Sequence, residues 1–158
     1  MKSKVIYSTF STVLTIILDA VLVFACCASA GEKPLFFILL ACLLIVLISA
    51  LFYAPCAIKA DSRYIVMSSI LKSRRILMSN VAGAELFQPT LGAVRVFGSG
   101  GYMGYWGIFR EGDIGRYQAF YGKASDCFLI RMKNGDKYLL GCENPSAMVD
   151  YIKSHIDD

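Results

Sequence analysis

The feature that most constrains this sequence is a pair of long apolar runs near its N-terminus. Val5 to Ala30 has 26 residues with Asp19 as its single residue charged at neutral pH, and Pro34 to Tyr53 has 20 residues with none. About 20 helical residues, at 1.5 Å each, cross the ~30 Å hydrocarbon layer of a bilayer. Backbone groups in lipid must be bonded within their own segment, so both runs are predicted to be helices. The link Gly31-Glu32-Lys33 makes them an antiparallel transmembrane hairpin.

Charges beside the two helices predict the side on which the rest of the chain lies. Lys2 and Lys4 precede the first helix, Lys59 and Arg63 follow the second, and the link offers only Lys33. By the positive-inside rule, both termini and the globular part face the cytoplasm. The sequence therefore predicts a multi-pass protein of the inner (cytoplasmic) membrane.

Two alternatives would remove the first helix from the mature protein. A signal peptide ending at Ala28-Ser29-Ala30 is disfavoured, because the apolar region of a signal is typically 7–15 residues and a second full-length span follows here. A lipoprotein site at Cys26 is weaker still, because Phe24 stands where a small residue is expected. The uncleaved hairpin is the interpretation that we carry forward.

Composition divides the chain into an anchor, residues 1–55, and a globular domain, residues 56–158. The domain holds thirteen of the sixteen Lys and Arg residues and ten of the twelve Asp and Glu residues. Its small positive charge does not favour nucleic acid as a partner. The six cysteines include no C-x-x-C pair, which is typical of a reducing compartment and predicts no metal site.

A polar stripe runs down the first helix. It consists of Ser8, Thr12, Thr15, Asp19 and Cys26, spaced four, three, four and seven residues apart. A carboxylate deep in a span costs about 2.5–3.5 kcal/mol, so Asp19 is expected to face protein or to be protonated. One hypothesis makes Asp19 an intramembrane polar site that relays protons or ions. The alternative, which we favour, is a stripe for packing against the second helix or another copy.

The pattern after Pro55 is a series of short β-rich runs followed by one helix. About seven antiparallel strands are expected in a meander, and Asn134-Gly135 predicts a type I′ hairpin between two of them. Asn144-Pro145 then opens a helix over 145–156. Its apolar face is formed by Met148, Val149, Ile152 and Ile156. The predicted fold is an all-β barrel that this helix closes.

Several motifs lie within this layout: Arg95 to Gly101, Gly104 to Gly107, Ile114 to Tyr117, Asn134 to Tyr138 and Cys142 to Pro145. With these motifs the layout resembles the bacterial pleckstrin-homology-like (PH-like) family, whose members often carry a transmembrane hairpin before the domain. The resemblance covers roughly residues 56–156. It implies the fold and a membrane location, but the family shares no catalytic residues that could be carried over.

The glycine-rich stretch Gly98 to Gly107 is predicted to be a tight loop between strands. It lacks the G-K-[ST] of a phosphate-binding loop, and β-rich sequence flanks it on both sides, so it predicts no nucleotide cofactor. Glycine geometry would position four side chains, which we take as a candidate interaction loop that contacts a partner or the lipid headgroup layer. These are Tyr102, Met103, Tyr105 and Trp106.

Basic residues soon after the hairpin are candidate contacts for anionic lipid headgroups. Each would contribute roughly 1 kcal/mol if it lies close to a charged membrane surface. The alternative is that they are solvated strand positions and orientation charges. They are Lys59, Arg63, Lys72, Arg74 and Arg75.

No catalytic constellation is evident, so the sequence predicts a protein that is not an enzyme. The single histidine, His155, lies near the end of the last helix, and Cys127 and Cys142 are expected to face each other as core residues. Acids flank predicted turns, where carboxylates are ordinary: Glu111, Asp113, Asp126, Asp136 and Glu143.

The function expected is a membrane-anchored PH-like interaction or scaffolding module that binds a protein partner or another copy of itself. Two alternatives remain open. One is a domain that senses anionic lipid through its basic strands, and the other is an accessory subunit of a membrane enzyme that uses Asp19.

Overall fold

The computed structural model describes residues 1–112 and 114–156, so Asp113 lies outside the described residues. Helix α1 covers Thr9–Ala28 and helix α2 covers Lys33–Tyr53. Both are long and apolar enough, by length and composition, to cross a membrane, and the rest of the chain covers few of their side chains. Helix α1 begins four residues later than expected, because Ser8 caps it by accepting the N–H of Ser11 at 3.1 Å.

The residues before α1 form a strand that the sequence did not predict. Strand β1, Lys2–Lys4, pairs antiparallel with the strand that follows the helices. The Met1 amino group donates to the Ala60 carbonyl at 2.6 Å, and Val5 lies in the core with only 8% of its surface exposed. The N-terminus and the globular part therefore lie at the same end of the helical hairpin.

The residues that the structure describes form ten strands in two sheets. The four-stranded sheet has the order β1-β2-β3-β4, all antiparallel, with β2 at Ala57–Ala60, β3 at Tyr64–Ser68 and β4 at Ser73–Leu77. The six-stranded sheet has the order β5-β9-β10-β8-β7-β6. Its strands are β5 (Val81–Leu86), β6 (Val94–Gly101), β7 (Gly104–Glu111), β8 (Gly115–Tyr121), β9 (Cys127–Met132) and β10 (Lys137–Gly141).

The predicted closed barrel is not found, and the predicted meander holds only in part, for β2-β3-β4 and for β6-β7-β8. Within the described residues the two sheets share no strand ladder, so they form a sandwich rather than a closed barrel. The β9–β10 hairpin inserts between β5 and β8, which makes β8 and β10 parallel neighbours. Strands β9 and β10 contain consecutive buried residues, a pattern that needs a central position with both faces of the sheet covered.

The hydrophobic core lies on both faces of the six-stranded sheet. One cluster, between the sheets, includes Ile58, Ile65 and Phe128 and receives the final helix α3, Pro145–Ile156. Helix α3 presents its predicted apolar face and buries Met148, Val149 and Ile152. A second cluster on the opposite face is formed by Phe109, Ile114, Tyr117, Ala119, Tyr121, Cys127, Leu129 and Leu139.

The β9–β10 hairpin is present, but its turn is not type I′. That turn needs positive φ at both central residues, and only Gly135 has one, at +90°. The link instead covers residues 133–136, where the Asn134 side chain accepts the N–H of Asp136 at 3.0 Å. This asparagine side-chain bond stabilises a longer loop.

Candidate functional site

A groove of about 490 Å³ lies where the C-terminal end of α2 meets the two sheets. Ser49, Phe52 and Tyr53 of α2 form one wall. The β3–β4 connection and β4 contribute Ser69, Lys72 and Arg74, and the other lining residues are apolar apart from Gln118. These others are Met67, Phe97, Gly98, Trp106, Gly107, Ile108, Gln118, Ala119 and Phe120. The groove therefore combines a mainly apolar lining with two cationic side chains, those of Lys72 and Arg74.

The aromatic ring of Tyr53 connects these two parts of the groove. It stacks on Trp106, with ring centroids 5.5 Å apart and an interplanar angle of 17°. The Lys72 ammonium lies 5.1 Å and the Arg74 guanidinium 5.6 Å from the centroid of the same ring. Arg74 also donates to the Gln118 amide oxygen at 3.3 Å. Cations at these distances are attracted to the ring and held at the groove.

Strand register separates the predicted lipid-contact cations. Lys59, Val66 and Arg75 are directly opposite one another across β2, β3 and β4, so they share the outer face of the sheet. Arg74 lies opposite the buried Met67, on the inner face. Lys59 forms an ion pair with Asp61 at 2.9 Å. Of the five, the structure brings only Lys72 and Arg74 together at the groove, and Arg63 precedes β3 at its opposite end.

The turn between β3 and β4 rests against α2. The Leu71 N–H donates to the Leu51 carbonyl at 3.0 Å, which places the turn beside the end of an apolar helix. Ile70 and Leu71 are more than half exposed there. This arrangement, in which exposed apolar side chains lie beside a candidate membrane helix and are followed by Lys72, is typical of a segment at a membrane surface.

The glycine-rich stretch forms a β-hairpin tip rather than the predicted loop. Gly98 to Gly101 belong to β6 and Gly104 to Gly107 belong to β7, so only Tyr102 and Met103 form the turn. Gly98 and Gly107 are paired with φ values of +112° and +116°. A Cβ atom on Gly98 would lie 2.1 Å from the Trp106 carbonyl oxygen, which explains the glycine. We call residues 98–107 the finger.

The finger is hydrogen-bonded to one face of α1. Ser11 Oγ donates to the Gly101 carbonyl at 2.5 Å and accepts the Gly104 N–H at 2.9 Å. Thr15 Oγ1 accepts the Met103 N–H at 2.9 Å. The Tyr102 hydroxyl donates to Asp19 Oδ1 at 2.9 Å. The polar positions Ser11, Thr15 and Asp19 are four residues apart and so lie along one face of the helix.

This contact changes the interpretation of the polar stripe. We expected the stripe to pack against α2 or another copy, but two of its five residues, Thr15 and Asp19, bond the finger of the same chain. Ser11, which the sequence analysis missed, is 1% exposed and central to the contact. Thr12 is exposed and bonds only its own helix, at the Ser8 carbonyl. The polar residues Ser11, Thr15 and Asp19 are spaced four residues apart in the sequence, and this spacing would have identified the face of α1 that contacts the finger.

All four side chains of the candidate interaction loop are partly buried, and those of Tyr102, Tyr105 and Trp106 contact other residues of the same chain. Trp106 stacks on Tyr53, and Tyr105 stacks on Tyr121 with centroids 4.8 Å apart. Burial, together with the hydrogen bond that its hydroxyl donates to Asp19, raises the pKa of Tyr102 to about 12. The Met103 backbone has a φ of +48°, in the left-handed region, at the bend of the hairpin.

A different surface carries the largest exposed apolar side chains outside the helices and their adjoining turn. Strand β6 is the last strand of its sheet, so its outer backbone edge lacks a partner strand within the described residues. Val94, Val96 and Phe97 on it are 65%, 58% and 73% exposed. Leu91, before β6, and Leu86, at the end of β5, are also exposed. An apolar edge strand of this kind is a site for pairing with another chain.

Three residues of types that can serve in catalysis, Glu111, Cys127 and Cys142, are buried in the domain. Glu111 is 4% exposed, and its Oε1 accepts the Thr90 N–H at 2.9 Å and the Thr90 hydroxyl at 2.5 Å. Cys127 and Cys142 are core residues on opposite faces of the sheet, so they do not face each other as expected. Burial raises the pKa of both thiols, which keeps them protonated. Within residues 1–112 and 114–156, no three His, Cys, Asp or Glu side chains could hold a metal.

Comparison with known proteins identifies the globular part. A family model described as "Bacterial PH domain" matches residues 57–156, which is more than half of the chain. No curated protein and no solved structure matches the chain in the corresponding comparisons. The matched segment covers β2 to α3 and leaves out β1 and the helical hairpin.

Proposed function

Because the chain belongs to the bacterial PH domain family, we propose that it acts as a membrane-anchored interaction module that associates with a second copy through β6. PH domains are typically non-enzymatic modules for protein or lipid interaction. The helical hairpin spans the inner membrane in this proposal, with the domain and both termini on the cytoplasmic face. The exposed apolar edge of β6 is the observation that carries the proposal.

The attachment of the domain to its anchor supports a positioning role. The finger bonds α1 at Ser11, Thr15 and Asp19, and β1 joins the N-terminus to the domain sheet. Tyr53 at the end of α2 stacks on Trp106 of the finger. In this proposal the contacts with β1, α1 and the end of α2 hold the domain against the helical hairpin. They thereby fix the distance of β6 from the membrane and its orientation.

A second copy fits the β6 edge because antiparallel pairing of two identical edges needs only one surface. The β6–β7 ladder shifts register at Val96, between Arg95 and Phe97, so we expect the two copies to meet through the exposed side chains of β6 as well as through its backbone edge. Confinement of both copies to one membrane raises their effective concentration, so a short strand pair suffices.

The test is the oligomeric state of the full chain in mild detergent, measured by native mass spectrometry. We expect a dimer for the unchanged chain and a monomer for Val96→Glu, because a carboxylate would be buried without a partner at the paired edges. Leu77→Glu is the matched control: Leu77 is an exposed apolar residue on β4, which is also an edge strand. The control should remain dimeric.

A monomer at every protein concentration would overturn self-association through β6. A different protein that co-purifies with the unchanged chain, and is lost with Val96→Glu but kept with Leu77→Glu, would also overturn it. That result would assign the edge to a heterologous partner.

Lipid sensing is a second candidate function, because Lys72 and Arg74 converge on the groove beside α2. The enzyme-subunit alternative has less support, because Asp19 accepts the Tyr102 hydroxyl and so has a structural role.

A further inference from the structure

We infer that the groove between α2, the β3–β4 turn and the finger binds one anionic lipid molecule, with its phosphate at Lys72 and Arg74 and an acyl chain along the apolar lining. This inference deepens the second candidate function and rests on the proposed membrane location. It does not depend on the pairing of β6.

The charge of the groove selects an anion. Lys72 and Arg74 are its only charged lining residues within the described part of the chain. Neither forms an ion pair there, since the three observed salt bridges involve Lys59, Lys123 and Arg131. Two cations that no carboxylate among the described residues neutralises, both close to the Tyr53 ring, are available for a phosphate group.

The remaining lining selects an apolar chain rather than a soluble anion. Phe52, Phe97, Ile108 and Phe120 line the groove, so a free phosphate would leave this apolar surface uncovered. Its volume of about 490 Å³ is in the range of small-molecule sites and holds a headgroup with part of an acyl chain. The outer wall is α2, so the rest of the lipid can extend along that helix into the bilayer.

The position of the cations matches the expected headgroup layer. Lys72 follows the exposed Ile70 and Leu71, whose turn is bonded to α2 near its end. Apolar side chains that enter the bilayer beside a cation that stays at its surface are typical of an interfacial segment. A lipid would reach this groove laterally from the membrane without leaving the bilayer.

The single tryptophan of the chain, Trp106, lines the groove and provides a direct readout. The full chain would be placed in nanodiscs that contain phosphatidylcholine together with phosphatidylglycerol brominated on its acyl chains, because bromine quenches nearby indole fluorescence. The comparison nanodiscs carry brominated phosphatidylcholine instead. We expect the mole fraction of brominated lipid that gives half-maximal quenching of Trp106 to be roughly tenfold lower for phosphatidylglycerol than for phosphatidylcholine.

The variant Lys72→Gln/Arg74→Gln should lose this preference, so that both brominated lipids quench alike. The matched control is Lys59→Gln/Arg75→Gln, which removes the same charge from the outer face of the same sheet. The control should keep the tenfold preference. Glycerol 3-phosphate, a probe for the headgroup alone, should not relieve the quenching.

Equal quenching by the two lipids in the unchanged chain would overturn the inference. So would equal loss of preference in the two double variants, because general attraction of the surface would then explain the effect. Relief of quenching by glycerol 3-phosphate would overturn the inference that the groove binds a lipid, and would indicate that it binds a soluble phosphate compound. Quenching and the oligomeric state are measured in separate experiments. A groove that binds no anionic lipid and a β6 edge that does not pair are therefore distinguishable.

Discussion

Two glycines allow the finger to keep its shape where its strands approach most closely. Gly98 and Gly107 face each other across β6 and β7, and both have a positive φ. A Cβ on either residue would lie 2.1–2.2 Å from a carbonyl oxygen of the opposite strand. Trp106 directly precedes Gly107 and lines the groove together with both glycines, so its position depends on them.

Gly98→Ala should lower the free energy of unfolding by about 2–3 kcal/mol, because the new methyl group forces both a strained φ and a backbone shift. The matched control is Gly83→Ala, where no atom lies within 4 Å of the added Cβ. The control should change stability by less than about 1 kcal/mol. Denaturant titration of the detergent-solubilised chain measures both, and equal effects would show that the close approach at Gly98 is not maintained.

At the scale of elements, the contact between the finger and α1 explains why an apolar helix contains a polar stripe. Ser11 donates to the Gly101 carbonyl and accepts the Gly104 N–H, two backbone groups on either side of the turn at the tip of the finger. Thr15 accepts the N–H of Met103 within that turn. The polar side chains of α1 thus replace water for a β-hairpin that lies against the helix.

Ser11→Ala should loosen the tip of the finger, because it removes two buried hydrogen bonds between the helix and the turn, at a cost of about 1–3 kcal/mol. Hydrogen exchange at the amides of residues 101–104 should become faster by at least about fivefold, as a loss of 1 kcal/mol implies. Thr12→Ala, one residue along on the exposed side, is the control and should leave these amides unchanged. Unchanged exchange in Ser11→Ala would show that the finger does not depend on the helix.

Local patterns predicted the elements better than they predicted the pairing of those elements. The two apolar helices, the apolar face of α3 and the β9–β10 hairpin follow from composition and periodicity. Strand β1 could not be predicted, because Lys2-Ser3-Lys4 has no strand pattern and its partner β2 is 53 residues further along the chain. The parallel pair β8–β10 is likewise set by long-range burial.

The candidate site shows the same division. Trp106, Lys72 and Arg74 were singled out from the sequence, but for separate surfaces. Their convergence on one groove depends on the side of β4 that faces the core and on the position of Tyr53 at the end of α2. Neither depends on a local pattern.

At the scale of the whole molecule, the anchor and the domain are interwoven rather than joined in series. The chain begins in the four-stranded sheet, leaves it through α1 and α2, and returns as β2 beside β1. Val5 contributes to the core, and the Ser8 N–H donates to the Gly122 carbonyl at 3.0 Å. The matched family segment, residues 57–156, therefore lacks a strand that completes the sheet in this protein.

A fragment of residues 56–158 should consequently be less stable than a chain in which residues 1–8 are joined to residues 54–158 by a short flexible linker. The linked chain keeps β1 and buries Val5, and burial of one such side chain contributes about 1.5–3 kcal/mol. We expect the linked chain to unfold with a free energy at least about 2 kcal/mol higher, measured by chemical denaturation. Ser3→Pro in the linked chain is the control: Ser3 lies opposite Ile58, two residues from the hydrogen-bonded pairs Met1–Ala60 and Val5–Cys56, so proline there removes a ladder donor of β1 and should lose part of the difference. Equal stability of fragment and linked chain would show that the domain is complete without the N-terminus, and that β1 serves only to hold the anchor.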